Sequence, residues 1–385
     1  MIRPVIGFIS SSSPRDKKSS SGTAYTIAKQ LERMGTLIWI PSSPSRLYRW
    51  LELVVKALSR CFGKNISFGY TFIGAKLLAL NIRTDLFPQC DILFAFFAGS
   101  KLGNLNLKKK PLIYLSDATF PAMINYYPPF CNLWKWNICQ GITLEKRSLD
   151  KADALIFSSD WSAKSAMKDL GQSAKKIHVI EFGANIEEKD ISIKTFVYNN
   201  HIDLLFLGVE WRRKGGDIAV EATRWLNEHG VSATLHIVGI RNLSDAIKTL
   251  PYVDYIGFLN KNNPEEYDQL IQIIRSCHAL LLPTVAECSA ISFAEASAYG
   301  LPVYTYDTGG VSNYIQNGRN GYMLPLGSSG AAFGTKIKES IESGELAVLT
   351  HAAPQVYFER LNWNVWSKQV ESLIYKLVEQ NSKGV

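Results

Sequence analysis

No apolar run in this chain is long enough to cross a membrane. The longest, Ile92 to Ala98, has seven residues against the ~20 a spanning helix needs. Residues Met1 to Ser10 hold one arginine and a short apolar run with no signal-peptide h-region, so no secretion signal is expected. The six cysteines (Cys61, Cys90, Cys131, Cys139, Cys277, Cys288) form no C-x-x-C pair and share no metal-ligand spacing with the six scattered histidines. That argues against structural zinc and for reduced thiols in a cytoplasmic protein. Charged residues are only 20% of the chain, but 46% are hydrophobic, which excludes wholesale disorder.

What is present is enough chain, 385 residues, for two domains with separate cores. The net charge of +8 conceals a division: residues 1–200 carry 27 Lys and Arg against 15 Asp and Glu, and residues 201–385 carry 15 against 19. A basic first half favours anionic partners: nucleic acid, anionic lipid or a phosphorylated acceptor.

Strand and helix patterns alternate along both halves, implying an α/β class. Val5 to Ser10 reads as the first strand, followed by a Ser- and Lys-rich loop to Ser21, the small turn Gly22-Thr23 and a helix over 24–34. Such a turn at a helix N-terminus either admits an anion or merely reverses the chain. After a strand at 37–41, Leu47, Trp50, Leu51, Val54, Val55, Leu58 and Phe62 recur at helical spacing with Arg46, Arg49, Lys56 and Arg60 on other faces. This stripe either covers a core or meets an anionic membrane or acceptor. Further strands are expected at 91–96 and 111–115. Beside the second, Asp117 precedes the aromatic segment Tyr126-Tyr127-Pro128-Pro129-Phe130, an arrangement suited to a sugar ring; the alternative is that Asp117 only caps the next turn. A helix into Asp153, a strand at 154–159, a helix from Asp160 and a last strand at 177–180 complete this half, and Glu187 to Asn200 reads as a linker.

The second half restarts with a strand at 204–208 and a loop containing Arg212, Arg213, Lys214, Gly215 and Gly216. Strand, glycine loop with cations, then helix makes a plausible diphosphate clamp, although the glycines match neither a dinucleotide fingerprint nor a P-loop. Strands follow at 235–239 and 253–259. The central unit comes next: the apolar strand Ala279 to Pro283, a loop to Cys288, a serine-capped helix from Ser289 to Tyr299, and a strand at 303–306. In a parallel sheet that loop and helix start lie at the carboxyl edge, where the helix dipole suits a phosphate. Glu287 would then address sugar hydroxyls, and Glu295, two helical turns on, the ribose. The simpler reading is an amphipathic helix with two solvated glutamates. Helices at 331–343 and 363–380 close the chain.

The run Glu287-Cys288-Ser289-Ala290-Ile291-Ser292-Phe293-Ala294-Glu295, continued by Tyr299-Gly300-Leu301-Pro302-Val303, Gly309-Gly310-Val311 and Asn317-Gly318-Arg319-Asn320-Gly321, resembles the E-x7-E region of retaining glycosyltransferases of family four. The resemblance implies the GT-B fold, two facing Rossmann-like domains with a cleft between them. The implied division is 1–190 for the acceptor side, 200–362 for the nucleotide-sugar donor, and a helix at 363–385 crossing back, with Trp363 and Trp366 at the interface. It implies transfer of a sugar from a nucleoside diphosphate to a hydroxyl acceptor, free or lipid-linked, with front-face attack. The catalytic group would be Glu287, Arg213, Lys214 and Asp117. Donor contacts would come from Gly22, Thr23, Phe258, Leu259, Ser289, Ala290, Ile291 and Glu295. No D-x-D occurs, which agrees with a metal-independent reaction without cofactor. Two positions depart from the pattern: Ala290 replaces a glycine, and Val209 replaces an arginine whose charge Arg213 would supply. A peripheral site at the inner membrane face is expected for the basic half, and no nucleic acid. The competing classes are a sugar-nucleotide hydrolase, epimerase or phosphorylase of the same architecture, or a non-catalytic sugar-nucleotide binding protein.

Overall fold

The structure is a computed structural model that describes residues 3–16, 22–186, 191 and 198–383. Residues 17–21 of the Ser-Lys loop and most of the expected linker fall outside the described residues. The chain divides into two compact units, Met1–Ile180 with Trp366–Val385, and Glu181–Val365.

The first unit holds the strands β1 (Val5–Ser10), β2 (Thr36–Pro41), β3 (Ile92–Phe96), β4 (Leu112–Ser116), β5 (Ala154–Phe157) and β6 (Ile177–Val179). They form one parallel sheet in the order β2-β1-β3-β4-β5-β6. β3, β4 and β5 are buried along their whole length, as parallel strands covered on both faces must be, and hence read as unbroken apolar runs. Their covering helices are α1 (Thr23–Met34), α2 (Arg46–Cys61), α3 (Phe72–Leu80), the short α4 (Phe120–Met123), α5 (Lys135–Asp150) and α6 (Asp160–Leu170). In α1 the buried residues Ala24, Ile27, Ala28, Leu31 and Met34 recur every three to four positions, which fixes its inward face.

The second unit repeats the plan with β7 (His201–Leu207), α7 (Gly216–Glu228), β8 (Ser232–Val238), α8 (Asp245–Lys248), β9 (Val253–Gly257), α9 (Pro264–Ser276), β10 (Ala279–Leu281), α10 (Ile291–Ala298), β11 (Val303–Asp307), β12 (Gly321–Pro325), α11 (Gly330–Glu342) and α12 (Glu345–Glu359). Its parallel order is β12-β11-β10-β7-β8-β9. From β7 the chain winds one way to β9, then returns to the other side of β7 as β10. The strand order therefore reverses between β7 and β10, and such a reversal places a crevice at the carboxyl edge of these two neighbouring strands. In the first unit the same reversal lies between β1 and β3.

The last helix, α13 (Trp363–Lys383), begins in the second unit and ends in the first. Trp366 is fully buried in the first unit, edge-on to Phe94 at 6.3 Å, and Ser367 donates to Gln30 at 3.0 Å. Trp363 stays with the second unit, stacked on Phe182 at 6.1 Å and donating to Asn185.

The structure differs from the sequence-based expectations in several places. The helix carrying Glu295 starts at Ile291 rather than Ser289, with Ala290 at its N-cap and no side-chain cap bond. Glu287 lies on the loop, as expected, but Cys288, Ser289 and Ala290 stand between it and the first helical residue, so the two glutamates are not separated by two helical turns. The stripe on α2 does not simply cover a core: Leu47, Trp50, Val54 and Leu58 are exposed, while Tyr48 is buried against Phe68 and Leu78. Finally, α3, α9 and α12 appear where no helix was expected. α3 is apolar on nearly every side and α12 carries Pro354 inside it, so neither shows a clean amphipathic period.

Candidate functional site

The crevice of the second unit is built on two glycines. Gly239, at φ 102° after β8, stands so close to the end of β7 that a Cβ would come within 2.4 Å of the Gly208 carbonyl. Only glycine lets these loops leave the sheet side by side. The loop after β7 then turns through Gly215, whose added Cβ would meet the Pro283 carbonyl at 2.0 Å, and this sets α7 directly against the end of β10.

That contact delivers the cations to the acid. Val285 N–H donates to the Arg213 carbonyl at 2.9 Å and the Thr284 hydroxyl donates to the same oxygen at 3.2 Å, zipping the two loops together. Lys214 Nζ forms a short ion pair with Glu287 Oε2, and Arg213 Nη1 stands 3.6 Å from the same oxygen. Arg213 also donates to the Ala286 carbonyl at 2.9 Å and grips Glu210 through Nε at 2.9 Å. That hydrogen bond, with the guanidinium charge behind it, holds the Glu210 carboxyl below its ordinary pKa. Lys214 and Glu287 are both buried, so their attraction is poorly screened. Val209, where the pattern has an arginine, is 64% exposed.

The glycine motifs downstream support this loop. Gly310 N–H donates to the Glu287 carbonyl at 2.9 Å and the Thr308 hydroxyl to the Val285 carbonyl at 3.3 Å. Asn320 is fully buried and bonds Ser297 at 3.0 Å and the Tyr314 carbonyl at 2.8 Å, tying α10 to the turn before β12. This part of the pattern is scaffold.

Further along the same edge, Glu295 on α10 is buried and paired with Lys261 at 2.9 Å, from the loop after β9. Phe258 in that loop is capped by the Arg241 guanidinium, 3.6 Å from the ring centroid, and Leu259 follows half-buried. Tyr255 pins the Arg241 loop by donating to the Ile240 and Arg241 carbonyls at 2.8 and 2.9 Å. At the start of α10 the Ile291 and Phe293 amides donate locally to the Ser289 and Ala290 carbonyls, so this end offers an anion chiefly its dipole. Glu210, Arg241 and Lys261 were not picked out from the sequence. Arg241 and Lys261 could have been found from one signal, cations just beyond strand ends.

In the first unit Gly22 is the N-cap of α1 in a left-handed conformation and Thr23 is buried beside it, after β1. Asp117 follows β4, and its carbonyl accepts a short hydrogen bond from the Ser162 hydroxyl. The N-cap of α4 is Thr119, whose hydroxyl accepts from Ala122 N. Behind it Glu145 is fully buried, accepting from Phe120 N and, at 3.5 Å, from the Tyr114 hydroxyl; burial lifts its pKa to about 8. Tyr126 packs on Trp161 at 5.0 Å beside this loop. Arg213, Lys214 and Glu287 are thus brought together in one unit, while Gly22, Thr23 and Asp117 belong to the carboxyl edge of the other.

Residues 201–343 match the family model described as glycosyl transferases group 1. The amylovoran biosynthesis glycosyltransferase AmsK of Erwinia amylovora is 22% identical over 54% of this chain and 53% of its own. The first curated relatives are matched over only 53% to 60% of their length. Among solved structures, sucrose-phosphate synthase from Thermosynechococcus elongatus superposes over 98% of this chain and 100% of its own, with a TM-score of 0.68 at 15% identity. Anabaena HepE in complex with UDP and glucose superposes over 97% and 100%, with a TM-score of 0.61 at 16% identity. The chain therefore has the GT-B fold, and its second unit carries the sequence pattern of group 1 glycosyl transferases.

Proposed function

We propose that the protein is a retaining glycosyltransferase that moves a sugar from a nucleoside diphosphate to a hydroxyl acceptor without a metal ion. The observation that carries this reading is the buried cluster of Arg213, Lys214 and Glu287 at the crevice of the second unit. Along the same sheet edge lie Glu295 with Lys261 and Phe258 with Arg241. The cations are suited to the diphosphate, Glu287 to the hydroxyls of the reacting sugar, and Glu295 to the ribose. Phe258 and Arg241 offer flat surfaces to the base, with Leu259 beside them. The first unit is assigned the acceptor through Asp117 and its aromatic neighbours, and the Gly22-Thr23 turn offers backbone to an anion.

In the reaction the bond between the anomeric carbon and the diphosphate oxygen breaks, and negative charge grows on that oxygen. Arg213 and Lys214 stabilise the charge, with the dipole at Ser289, Ala290 and Ile291. The acceptor oxygen bonds to the anomeric carbon from the face the diphosphate leaves, and its proton passes to the departing phosphate. This order retains the anomeric configuration without a glycosyl-enzyme bond. HepE and the sucrose-phosphate synthase, with UDP and glucose in the first, fit a nucleotide-sugar donor.

The test incubates the protein with a panel of nucleotide sugars and hydroxyl acceptors in the presence of a chelator, and resolves products by NMR. Transfer with an unchanged anomeric centre is expected. Hydrolysis to free sugar alone, isomerisation, or dependence on added divalent cation would overturn the corresponding part of the reading.

A further inference from the structure

Nine of the seventeen exposed large apolar side chains among the described residues fall in one stretch, Leu47 to Leu80. Six of them, Leu47, Trp50, Leu53, Val54, Leu58 and Phe62, belong to α2 or its C-cap, and Phe72, Ile73 and Leu80 belong to α3. Scattered exposed leucines need no explanation, but a stripe does. At about 100° per residue, α2 presents three faces. Tyr48, Leu51 and Val55 turn inward onto Phe68, Leu77 and Leu78. Leu47, Trp50, Val54 and Leu58 form a second, outward apolar band about a quarter turn round from that inward face, with Leu53 beyond its far border. Arg46, Arg49, Lys56 and Arg60 line one edge of that band. One side of this helix is satisfied by the protein and another is left apolar and bare.

We propose that α2, with α3 beside it, docks the first unit on the surface of an anionic lipid bilayer. Charge is what selects this occupant over another apolar surface. Residues 46–80 hold six basic side chains (Arg46, Arg49, Lys56, Arg60, Lys64, Lys76) and one acid, Glu52, which is spent on Lys56 at 2.8 Å. Arg46, Arg49 and Arg60 are exposed and have no carboxylate partner among the described residues. The imbalance extends to the unit: 28 Lys and Arg against 13 Asp and Glu, while the second unit has 14 against 21. Trp50 and Phe62 are the aromatic types that settle at the boundary between headgroups and acyl chains. Sixteen residues of helix reach only ~24 Å, short of a ~30 Å hydrocarbon core, so α2 lies along the surface. No helix among the described residues is long and apolar enough to cross. The inference does not depend on the proposed reaction.

Vesicle sedimentation tests it, using the full chain with phosphatidylcholine vesicles and with vesicles that also contain phosphatidylglycerol. Binding is expected only to the anionic vesicles and should weaken with salt. Replacing Arg46, Arg49 and Arg60 together by glutamine should lower the partition coefficient about 100-fold. Trp50→Ser with Leu58→Ser should abolish binding while leaving circular dichroism unchanged, since both side chains point to solvent. Brominated lipid should quench the wild-type fluorescence more than that of Trp50→Phe. Equal recovery with neutral and anionic vesicles, or none with either, overturns the proposal. So does a stable dimer whose dissociation follows the Trp50→Ser, Leu58→Ser change, because the band would then belong to a second copy.

Discussion

Replacing Glu287 by glutamine should make the protein less stable and yet bind a nucleoside diphosphate more tightly. In the structure Glu287 shares one oxygen between Lys214 and Arg213, with the Lys214 and Glu287 side chains 11% and 9% exposed. Breaking a buried pair by removing one charge typically costs ~3–5 kcal/mol. Here about 2 kcal/mol is expected, because Arg213 keeps Glu210 and the amide oxygen can still accept from Lys214. An incoming diphosphate must compete with Glu287 for Lys214, and the substitution removes the competitor. Affinity should therefore rise about tenfold, roughly 1.4 kcal/mol, while turnover falls because the reacting sugar loses its carboxylate. Urea denaturation measures the first quantity, calorimetric titration with a nucleoside diphosphate the second, and initial rates the third. Unchanged stability together with weaker nucleotide binding would refute the reasoning, since it would mean that Glu287 helps hold the nucleotide rather than restraining Lys214.

Lys214→Ala should weaken nucleoside diphosphate binding roughly 10- to 100-fold, and an unchanged calorimetric affinity would remove the lysine from the clamp. Glu295→Gln should weaken a nucleoside diphosphate but not inorganic pyrophosphate, because its assigned contact is to the ribose; equal losses for both would contradict that. Stability of the second unit should fall as pH rises above about 6.5. Burial alone would lower the His236 pKa, but hydrogen bonds to Asp203 at 2.8 Å and Asp254 at 2.9 Å raise it, so its stabilisation is complete below the unfolded value and lost as pH passes the folded one. Asp203 is depressed by the same bond and acts at the other end, losing its contribution as pH falls below 3.8. His236→Gln should flatten the upper limb of a denaturation profile against pH. Glu145, unlike Asp203, follows the sign of His236: burial raises its pKa from 4.5 to about 8, so it folds protonated and the first unit loses stability as pH climbs between those values, by about 3 kcal/mol at neutrality. Glu145→Gln should abolish that slope, and a parallel slope in the variant would show that another group is responsible.

The sequence by itself determined the class of the fold and most of its elements. β3, β4, β5 and β10 are short apolar runs that read as buried strands, and each stands within two residues of where the pattern puts it. Local period carries that information because it follows from the pleat and the helical turn alone. Glu287, Arg213 and Lys214 were also legible, through the spacing of a motif. Their partnership was not, since Lys214 and Glu287 are 73 positions apart and Lys261 and Glu295 are 34 apart. Only the sheet order β12-β11-β10-β7-β8-β9, which lays the loops after β7 and β10 together, decides which cation meets which acid. The tertiary structure likewise moved the helix start from Ser289 to Ile291, because the chain needs residues 282–290 to pass from β10 to α10 before a first turn can form. α2 shows the same limit most plainly. A hydrophobic stripe tells which residues share a face, but whether that face meets protein depends on where the neighbouring elements end, and here Phe68 and Leu78 cover only one side of it.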